Sequence, residues 1–375
     1  MKIAFTGGGT GGHFYPIIAV AESVREIADN EKIIGLKLYY LADESYDKEA
    51  LFANGITFMY VSAGKRRIYF SIKNFFDFFK TAFGCVGALF SLFLLYPDVV
   101  FSKGGYSGFP VVLAARILRI PVVIHESDCH PGRVNMWTGK FAKRIAVSYD
   151  EAGAFFPKDK VAQTGQPIRK AILERKTEGA FEYLKLDHNI PTILVLGGSQ
   201  GAEIINDAVL DIITTLVKDY QVIHQTGANN FNEVKARAEF FLHDNEFKDR
   251  FLPFAFLSPL AMKMAAGAAS LVITRAGSTI FEIASWGLPA IIIPIEESNG
   301  DHQKKNAFNY ARHGGAEVIE EGNLSSGILI AEIKRILGDK ERQQKMSEAA
   351  KNFSQPDAAQ KIARVLIDIS LSHEK

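Results

Sequence analysis

The sequence predicts an α/β protein made of two Rossmann-like, doubly wound domains, and three observations support this fold class. The chain has 375 residues, a length that fits two domains better than one or three. Apolar strand-like runs alternate with helical stretches, as in parallel sheets covered by helices. An apolar strand, a glycine-rich turn and a helix follow one another at Lys2 and again at Thr192. The second half therefore repeats the plan of the first.

Short apolar runs identify the expected strands. They are residues 2–6, 37–41, 99–102, 122–125, 144–147, 160–164, 192–196, 221–225, 271–274 and 290–294. Helices are expected over residues 17–27 and from 202 to about 217. From Gln355 onward an amphipathic stretch, with Ile362, Val365, Leu366 and Ile369 in phase, predicts a closing helix that either domain can accept.

The domain boundary is expected at Gly165-Gln166-Pro167, a turn-forming break after the strand around residues 160–164. This gives an N-terminal domain over residues 1–164, a C-terminal domain over residues 165–354, and the closing helix within residues 355–375.

Composition and charge exclude several classes of protein. Hydrophobic residues make up 47% of the chain and charged residues 23%, which is typical of a globular protein and excludes disordered and fibrous classes. The net charge of +1 gives no global field to attract nucleic acid, so no nucleic-acid partner is expected. Two cysteines, Cys85 and Cys129, are too few for a disulfide framework and indicate a reducing compartment such as the cytoplasm. The first strand begins at Lys2, which leaves no room for the apolar core of a signal peptide.

The first glycine-rich turn, Gly7 to Gly12, matches the pattern G-x-G-x-x-G between a strand and a helix. Such glycines let a diphosphate or a sugar approach the backbone at a helix N-terminus, although they also occur for packing alone. An acid at the end of the second strand, Asp43 or Glu44, keeps an NAD-dependent dehydrogenase as an alternative. His13 follows the turn directly and is either a general base or a residue that caps the helix or packs on Tyr15.

The second turn, Gly197 to Gly201, also has the spacing G-x-S-x-G of a hydrolase nucleophile elbow. Ser199 would then be a nucleophile, with His302 as its later partner. We favour phosphate binding, because a complete alternating domain precedes this turn.

Two further segments gather polar side chains at strand ends. Thr279 and Glu282 have the spacing of a capping box, but the carboxylate of Glu282 also suits the hydroxyls of a ribose. Beyond the next strand, Asp301, His302, Gln303 and Asn306 suit sugar hydroxyls.

The segment from His125 to His130 fits no usual zinc spacing, so no metal is expected. His125, Glu126 and Asp128 are better explained as polar binding groups at a strand end.

A phenylalanine-rich region extends from Ile68 to Phe93, with Lys65, Arg66, Arg67, Lys73 and Lys80 nearby. Phe75, Phe76, Phe78, Phe79 and Phe83 lie too far round a helix to be buried together, which predicts contact with an anionic membrane surface. For residues 86–95 we expect a core helix. The uncharged block over residues 81–96 is shorter than the roughly 20 residues that a spanning helix needs and contains Gly84, Gly87 and Ser91, so we do not expect it to cross a membrane.

Taken in order, these motifs resemble the MurG family of UDP-N-acetylglucosamine transferases, which make the lipid-linked disaccharide of peptidoglycan. The matching residues are Gly7 to His13 with Pro16, Lys103 to Tyr106, His125-Glu126, Gly165 with Pro167 and Arg169, Gly197 to Ala202, Arg275 to Gly277, Glu282, Gly287 to Pro289, and Asp301 to Gln303. Asp128 and Gln166 stand where the family usually has Asn.

The resemblance implies a glycosyltransferase B fold, with two Rossmann-like domains facing a central cleft. It implies inverting transfer from UDP-N-acetylglucosamine to the 4-hydroxyl of undecaprenyl-diphospho-N-acetylmuramoyl-pentapeptide, by a peripheral enzyme at the cytoplasmic face of the membrane. No cofactor or metal is needed. Another UDP-sugar-dependent transferase with a lipid acceptor remains an alternative, as does the dehydrogenase.

The resemblance also implies roles for individual residues. His13 would be the catalytic base for the acceptor hydroxyl. The membrane patch would include Phe75, Phe76, Phe79 and Phe83. The acceptor side would be lined by Tyr106, His125, Glu126 and Asp128. The UDP-sugar would contact Thr10, Gly11, Gly12, Arg169, Ser199, Gln200, Leu257, Ser278, Thr279, Glu282, His302 and Gln303.

Overall fold

A computed structural model describes residues 1–64, 73–198, 201–296 and 301–372. The chain divides into two units: unit 1 is Met1–Arg169 with Gln355–Lys375, and unit 2 is Lys170–Ser354. Each unit contains one sheet of parallel strands with helices on both faces, which confirms the predicted fold class. The division follows Arg169, a few residues beyond the turn at Gly165 where the sequence places it.

The sheet of unit 1 has the strand order β3-β2-β1-β4-β5-β6-β7. Its strands are β1 (Lys2–Thr6), β2 (Lys37–Ala42), β3 (Ile56–Tyr60), β4 (Val99–Ser102), β5 (Val122–Glu126), β6 (Arg144–Val147) and β7 (Val161–Gln163). The helices of its N-terminal segment are α1 (Gly11–Asn30), α2 (Lys48–Ala53), α3 (Lys73–Leu95), α4 (Gly105–Ile117), α5 (Arg133–Gly139) and α6 (Asp150–Gly153).

The sheet of unit 2 has the order β10-β9-β8-β11-β12-β13. Its strands are β8 (Thr192–Leu196), β9 (Gln221–Gln225), β10 (Phe251–Phe254), β11 (Ala269–Thr274), β12 (Ala290–Ile292) and β13 (Ala316–Val318). Its helices are α7 (Lys170–Leu173), α8 (Ala180–Leu184), α9 (Glu203–Asp211), α10 (Ile213–Asp219), α11 (Phe231–Phe241), α12 (Pro259–Ala268), α13 (Thr279–Trp286), α14 (His302–Arg312), α15 (Ser326–Leu337) and α16 (Lys340–Phe353). The single helix expected over residues 202–217 is thus two helices, with a break at Ile212.

Alternating side chains of the central strands build a core on each face of each sheet. In β1, Ile3 and Phe5 enter one hydrophobic cluster, whereas Ala4 enters the cluster on the opposite face. The residues of β8 alternate between two clusters in the same way. Strands buried on both faces read as continuous apolar runs, which is why the sequence reveals them.

The closing helix, α17 (Ala358–Leu371), belongs to unit 1. Ile362, Leu366 and Ile369 are buried in the same cluster as the inner face of α1. On the surface, Arg364 Nη1 lies 2.5 Å from Glu31 Oε1 at the end of α1. This settles which unit the helix covers.

The order of strands also locates the ligand-binding edge of each unit. In unit 1 the chain adds β2 and β3 on one side of β1 and then crosses to add β4 on the other side. In unit 2 it adds β9 and β10 on one side of β8 and then β11 on the other. In open α/β sheets, ligands bind at the carboxyl ends of the strands beside such a crossing. We call this side of each sheet its carboxyl edge.

Candidate functional site

His13 lies in the first turn of α1, at the carboxyl edge of unit 1. Thr10 is the N-cap of this helix, and its Oγ1 lies 2.9 Å from His13 Nδ1 and does not cap a backbone N–H. Nε2 faces the start of α4, since a Cβ added to Gly105 would lie 3.9 Å from it. If Nδ1–H donates to Thr10, Nε2 carries the lone pair of the neutral ring and can accept a proton.

Tyr106, in the first turn of α4, contacts the first glycine loop and the end of β2. A Cβ on Gly9 would lie 3.0 Å from its ring. Burial and a hydrogen bond with Asp43 raise the pKa of the Tyr106 hydroxyl to about 12. Asp43, which the dehydrogenase alternative would use for a ribose, is therefore a partner of Tyr106 in this structure.

His125 is the first of two predicted acceptor-side residues that the structure buries completely. Its Nδ1 lies 2.5 Å from Lys103 Nζ, and its Nε2 lies 2.9 Å from the carbonyl oxygen of Gly165. Burial, followed by the nearby Lys103, holds the pKa of this imidazole well below its usual value.

Glu126, the other buried residue, holds the segment that follows β5. Its Oε1 accepts the backbone N–H groups of Ser127 and Asp128, and its Oε2 accepts those of Gly132 and of the Asn135 side chain. Burial and the nearby Asp128 carboxylate raise the pKa of this carboxyl group above its usual value, although the hydrogen bonds from Asn135, Asp128 and Gly132 oppose the shift. His125 and Glu126 thus support the loop that carries Asp128, which is only partly buried.

Arg169 lies at the end of the first segment of unit 1. Its guanidinium carbon lies 3.7 Å from the centre of the Tyr15 ring, two residues after His13. This stacking places a permanent cation close to the first turn of α1.

The second glycine loop follows β8 and precedes α9. Ser199 and Gln200, predicted to contact UDP, lie outside the described residues. The structure therefore does not test Ser199 as a nucleophile. Leu257 is buried, and its backbone N–H donates to Gln225 Oε1 at 3.0 Å. Contact between this N–H and a base would therefore have to replace the bond to Gln225.

The start of α13 differs from a capping box. The box needs Thr279 as N-cap with Glu282 three residues later, but the observed N-cap is Ser278, without a side-chain capping bond. Glu282 instead lies within the first turn of the helix. Because α13 follows β11, this first turn lies at the carboxyl edge of unit 2.

Hydrogen bonds tie together the loops that follow β11, β12 and β13. Arg275 Nη1 lies 2.5 Å from Glu321 Oε1, in an ion pair whose side chains are 13% and 11% exposed. Glu321 Oε2 accepts the backbone N–H of Glu296. Gln303 Oε1 accepts the N–H of Ile295, and Asn306 donates to the carbonyl of Ala276. His302 and Gln303 begin α14 within this framework.

The outward face of α3 is strongly apolar. The predicted patch residues Phe75, Phe76, Phe79 and Phe83 are 46–74% exposed. Our expectation of a core helix over residues 86–95 is wrong for one face, because Val86, Phe90, Phe93 and Leu94 are 63–69% exposed. All eight side chains occupy roughly a third of the helix circumference at 3.6 residues per turn. Only the opposite face, with Ala88 and Leu92, enters the core.

Two findings concern membranes and metals. Residues Phe75–Leu95 are long and apolar enough to cross a membrane by length and composition, although Ala88 and Leu92 are buried in unit 1. Across residues 1–64, 73–198, 201–296 and 301–372, no group of three His, Cys, Asp or Glu side chains is arranged to hold a metal ion.

Comparison with known proteins places both units in one family. Residues 3–147 match the glycosyltransferase family 28 N-terminal domain, and residues 192–362 match the family 28 C-terminal domain. Two proteins named UDP-N-acetylglucosamine–N-acetylmuramyl-(pentapeptide) pyrophosphoryl-undecaprenol N-acetylglucosamine transferase are similar over nearly their whole length. That of Treponema denticola is 36% identical over 98% of this chain and 96% of its own, and that of Halothermothrix orenii is 35% identical over 98% and 99%. The crystal structure of Acinetobacter baumannii MurG superposes with a TM-score of 0.73 at 24% identity, covering 98% of this chain and 99% of that one.

Proposed function

Because the chain belongs to glycosyltransferase family 28, we propose that it transfers N-acetylglucosamine from UDP-N-acetylglucosamine to the lipid-linked N-acetylmuramoyl-pentapeptide of peptidoglycan synthesis. The observation that carries this proposal is the similarity to transferases of that name over 98% of the chain. The carboxyl edges described above supply residues of the right chemistry for each substrate.

Unit 1 binds the acceptor in this proposal, and His13 is the base. With Nδ1–H donating to Thr10, Nε2 takes the proton of the acceptor 4-hydroxyl as its oxygen attacks the anomeric carbon. The bond from that carbon to the UDP oxygen breaks on the opposite face, so the configuration inverts. Tyr106 and Asp128 line the acceptor side, whereas His125 and Glu126 hold its loop in shape.

Unit 2 binds the donor. The diphosphate lies at the N-terminus of α9 beside the second glycine loop, where backbone N–H groups and the helix dipole favour the negative charge that develops on UDP. Within unit 2, Ser199 and Gln200 are assigned to UDP, Leu257 to uracil, and Ser278, Thr279 and Glu282 to the phosphate and ribose. Arg169, which the resemblance assigns to UDP, belongs to unit 1. His302 and Gln303 are assigned to the transferred sugar.

Calorimetric titration with UDP-N-acetylglucosamine, UDP-glucose and NAD, all with EDTA present, tests donor choice. We expect preferential binding of the first. Purified protein should then transfer labelled N-acetylglucosamine to a synthetic lipid-linked muramoyl-pentapeptide. Binding of NAD without any UDP-sugar would instead favour the dehydrogenase, and UDP-sugar binding without turnover on any lipid acceptor would contradict the proposed reaction.

The localisation that we propose is peripheral, at the cytoplasmic face of the membrane, through the apolar face of α3. This face is about 28 Å long at 1.5 Å per residue and parallel to the helix axis. Because the opposite face of α3 is part of the core of unit 1, the helix can lie in a membrane surface without leaving its fold.

Replacement of Phe76 and Phe79 by Ser tests this attachment. We expect the doubly substituted protein to lose most of its co-sedimentation with vesicles that contain phosphatidylglycerol, because two exposed rings no longer enter the lipid. The matched control replaces Phe240 and Phe241, an adjacent exposed pair on α11 of unit 2, and should sediment like the unmodified protein. Equal sedimentation of all three proteins would contradict the assignment of α3.

A further inference from the structure

Lys103, which directly follows β4, is a buried cation. Its side chain is 2% exposed, and within the described part of the chain no carboxylate lies within ion-pairing distance of its ammonium group. Burial of a charge without an opposite charge is costly, so such a lysine needs an explanation. Desolvation lowers the pKa of Lys103 from its usual value, whereas the nearby Glu126 and Asp128 favour the charged form and oppose this shift.

The hydrogen-bond partners of this ammonium group are neutral, and both lie at the end of β5. Lys103 Nζ lies 2.5 Å from His125 Nδ1 and 2.5 Å from Ser127 Oγ. Ser127 Oγ in turn donates to Gln166 Oε1, which also accepts from Ser148. We call these five side chains the Lys103 network. It joins the ends of β4, β5 and β6 to residues 165–166.

The hydrogen-bond partners of His125 determine the state of its ring. The carbonyl oxygen of Gly165 beside Nε2 can only accept, so the proton of the neutral ring is on Nε2, and Nδ1 accepts from the amino group of Lys103. Nε2–H then donates to the carbonyl oxygen of Gly165, 2.9 Å away. In this series of hydrogen bonds, Lys103 donates to His125 and His125 donates to Gly165, so the amino group and the carbonyl oxygen together fix the tautomer of the ring.

We propose that Lys103 is a positioning residue for acceptor binding: it holds His125 in the Nε2–H tautomer and ties the loop that carries Asp128 to residues 165–166. Its connection to the acceptor rests on the proposed function. Lys103 itself is buried and touches no substrate. It acts through Ser127, the residue that precedes Asp128, and through the Gly165–Gln166 turn.

Steady-state kinetics with Lys103→Met test the effect on binding. Methionine has a similar length but cannot donate, so Ser127 and His125 lose their common partner. We expect KM for the lipid acceptor to rise about tenfold, the usual scale for one lost buried hydrogen bond, while the Kd for UDP-N-acetylglucosamine is unchanged. Lys143→Met, at an exposed lysine of unit 1, is the matched control and should change neither constant.

A second pair of variants separates positioning from folding. Ser127→Ala removes the hydroxyl and should raise acceptor KM by a few-fold, whereas Ser127→Thr keeps the hydroxyl and should restore it. An unchanged acceptor KM in Lys103→Met would overturn the proposal. So would equal losses of donor and acceptor binding together with a lowered Tm, since that result indicates a purely structural lysine.

Nitrogen NMR of protein labelled at its histidine rings tests the tautomer without any activity. We expect one ring, assigned by its absence in His125→Gln, to carry its proton on Nε2 in the unmodified protein and to change its Nδ1 resonance in Lys103→Met. A proton on Nδ1 in the unmodified protein would overturn the proposal even if the enzyme is fully active. Conversely, the expected spectrum in a protein that lacks transferase activity would contradict the proposed function and leave the tautomer assignment standing.

Discussion

The two glycine loops have similar sequences but different surroundings. Gly7 has a φ of +115°, and a Cβ there would lie 2.9 Å from the Cβ of Lys103 and 3.0 Å from its backbone nitrogen. Gly198 has a φ of +77°, and no described atom lies within 4 Å of an added Cβ. Packing within unit 1 therefore requires the first glycine, whereas among the described residues only its positive φ accounts for Gly198.

This difference teaches that a glycine-rich turn has more than one physical cause. In unit 1, the loop packs against Lys103 of the buried polar network, and His13, the candidate base, follows it in the first turn of α1. In unit 2, the corresponding edge is tied by the ion pair of Arg275 with Glu321, and its loop is packed at Gly201, where an added Cβ would lie 2.5 Å from Asn230 Nδ2.

Among the variants that test this comparison, His13→Ala is expected to have the largest effect. If unit 1 supplies the base, turnover should fall by about 10² to 10⁴, the usual contribution of general base catalysis, while the Kd for UDP-N-acetylglucosamine changes little. Turnover with saturating lipid acceptor and calorimetric titration of the donor measure the two effects. His243→Ala, at an exposed histidine of unit 2, serves as control. Normal turnover in His13→Ala would remove the catalytic role from unit 1.

A pair of glycine substitutions tests the loops themselves. Gly7→Ala should destabilise unit 1 by about 2–4 kcal/mol, because a positive φ and a steric overlap add. Gly198→Ala should lower the stability of unit 2 by only about 1–2 kcal/mol, because of its positive φ. It should nevertheless weaken donor binding, because the methyl group enters the space proposed for the diphosphate. Calorimetric melting and donor titration check both variants. Equal losses of stability with no change in donor binding would contradict the distinction.

Buried histidines give a smaller test that concerns acid stability. His224 in unit 2 donates from Nε2 to Asn206 Oδ1 at 2.9 Å, and burial lowers its pKa to about 3. The unfolded chain, with a histidine pKa near 6.5, binds this proton first, so stability is lost as the pH falls from about 6.5 to about 3.

The contribution of His224 to the free energy of unfolding falls by about 2 kcal/mol between pH 7 and pH 5, at 1.36 kcal/mol per pKa unit. His224→Gln removes the titrating ring, so the melting temperature of unit 2 should depend less on pH over this range. An unchanged pH dependence would show that His224 does not control it.

The strands that the sequence did not reveal share a physical property. β3, β10 and β13 are edge strands, and each has mostly half-buried or exposed residues. An edge strand needs no continuous apolar run, so the central strands stand out, whereas β7 is the one edge strand of the two described sheets that was predicted. The exposed face of α3 over residues 86–95 was missed for a related reason, since apolar composition alone does not distinguish a core face from a surface face.

The candidate site was predictable in its positions but not in its contacts. The strand-end location of His13, Glu126 and Glu282 follows from the alternating pattern. That Glu126 is fully engaged by the loop it precedes, or that Lys103 is buried beneath the first glycine loop, depends on side chains brought together from distant parts of the chain. A lysine directly after a buried strand was the available signal, and single-sequence reasoning gives it no partner.

The position of α17 governs how the chain folds as it is made. A ribosome translates residues 1–169 before any of unit 2, but Ile362, Leu366 and Ile367, which complete the cluster against α1, are translated after unit 2. Unit 2 is continuous from Lys170 to Ser354 and has all of its own core once it emerges. Unit 1 therefore cannot complete its core while the ribosome is still translating unit 2, and during that time the face of α1 that α17 covers has no partner from the C-terminal segment.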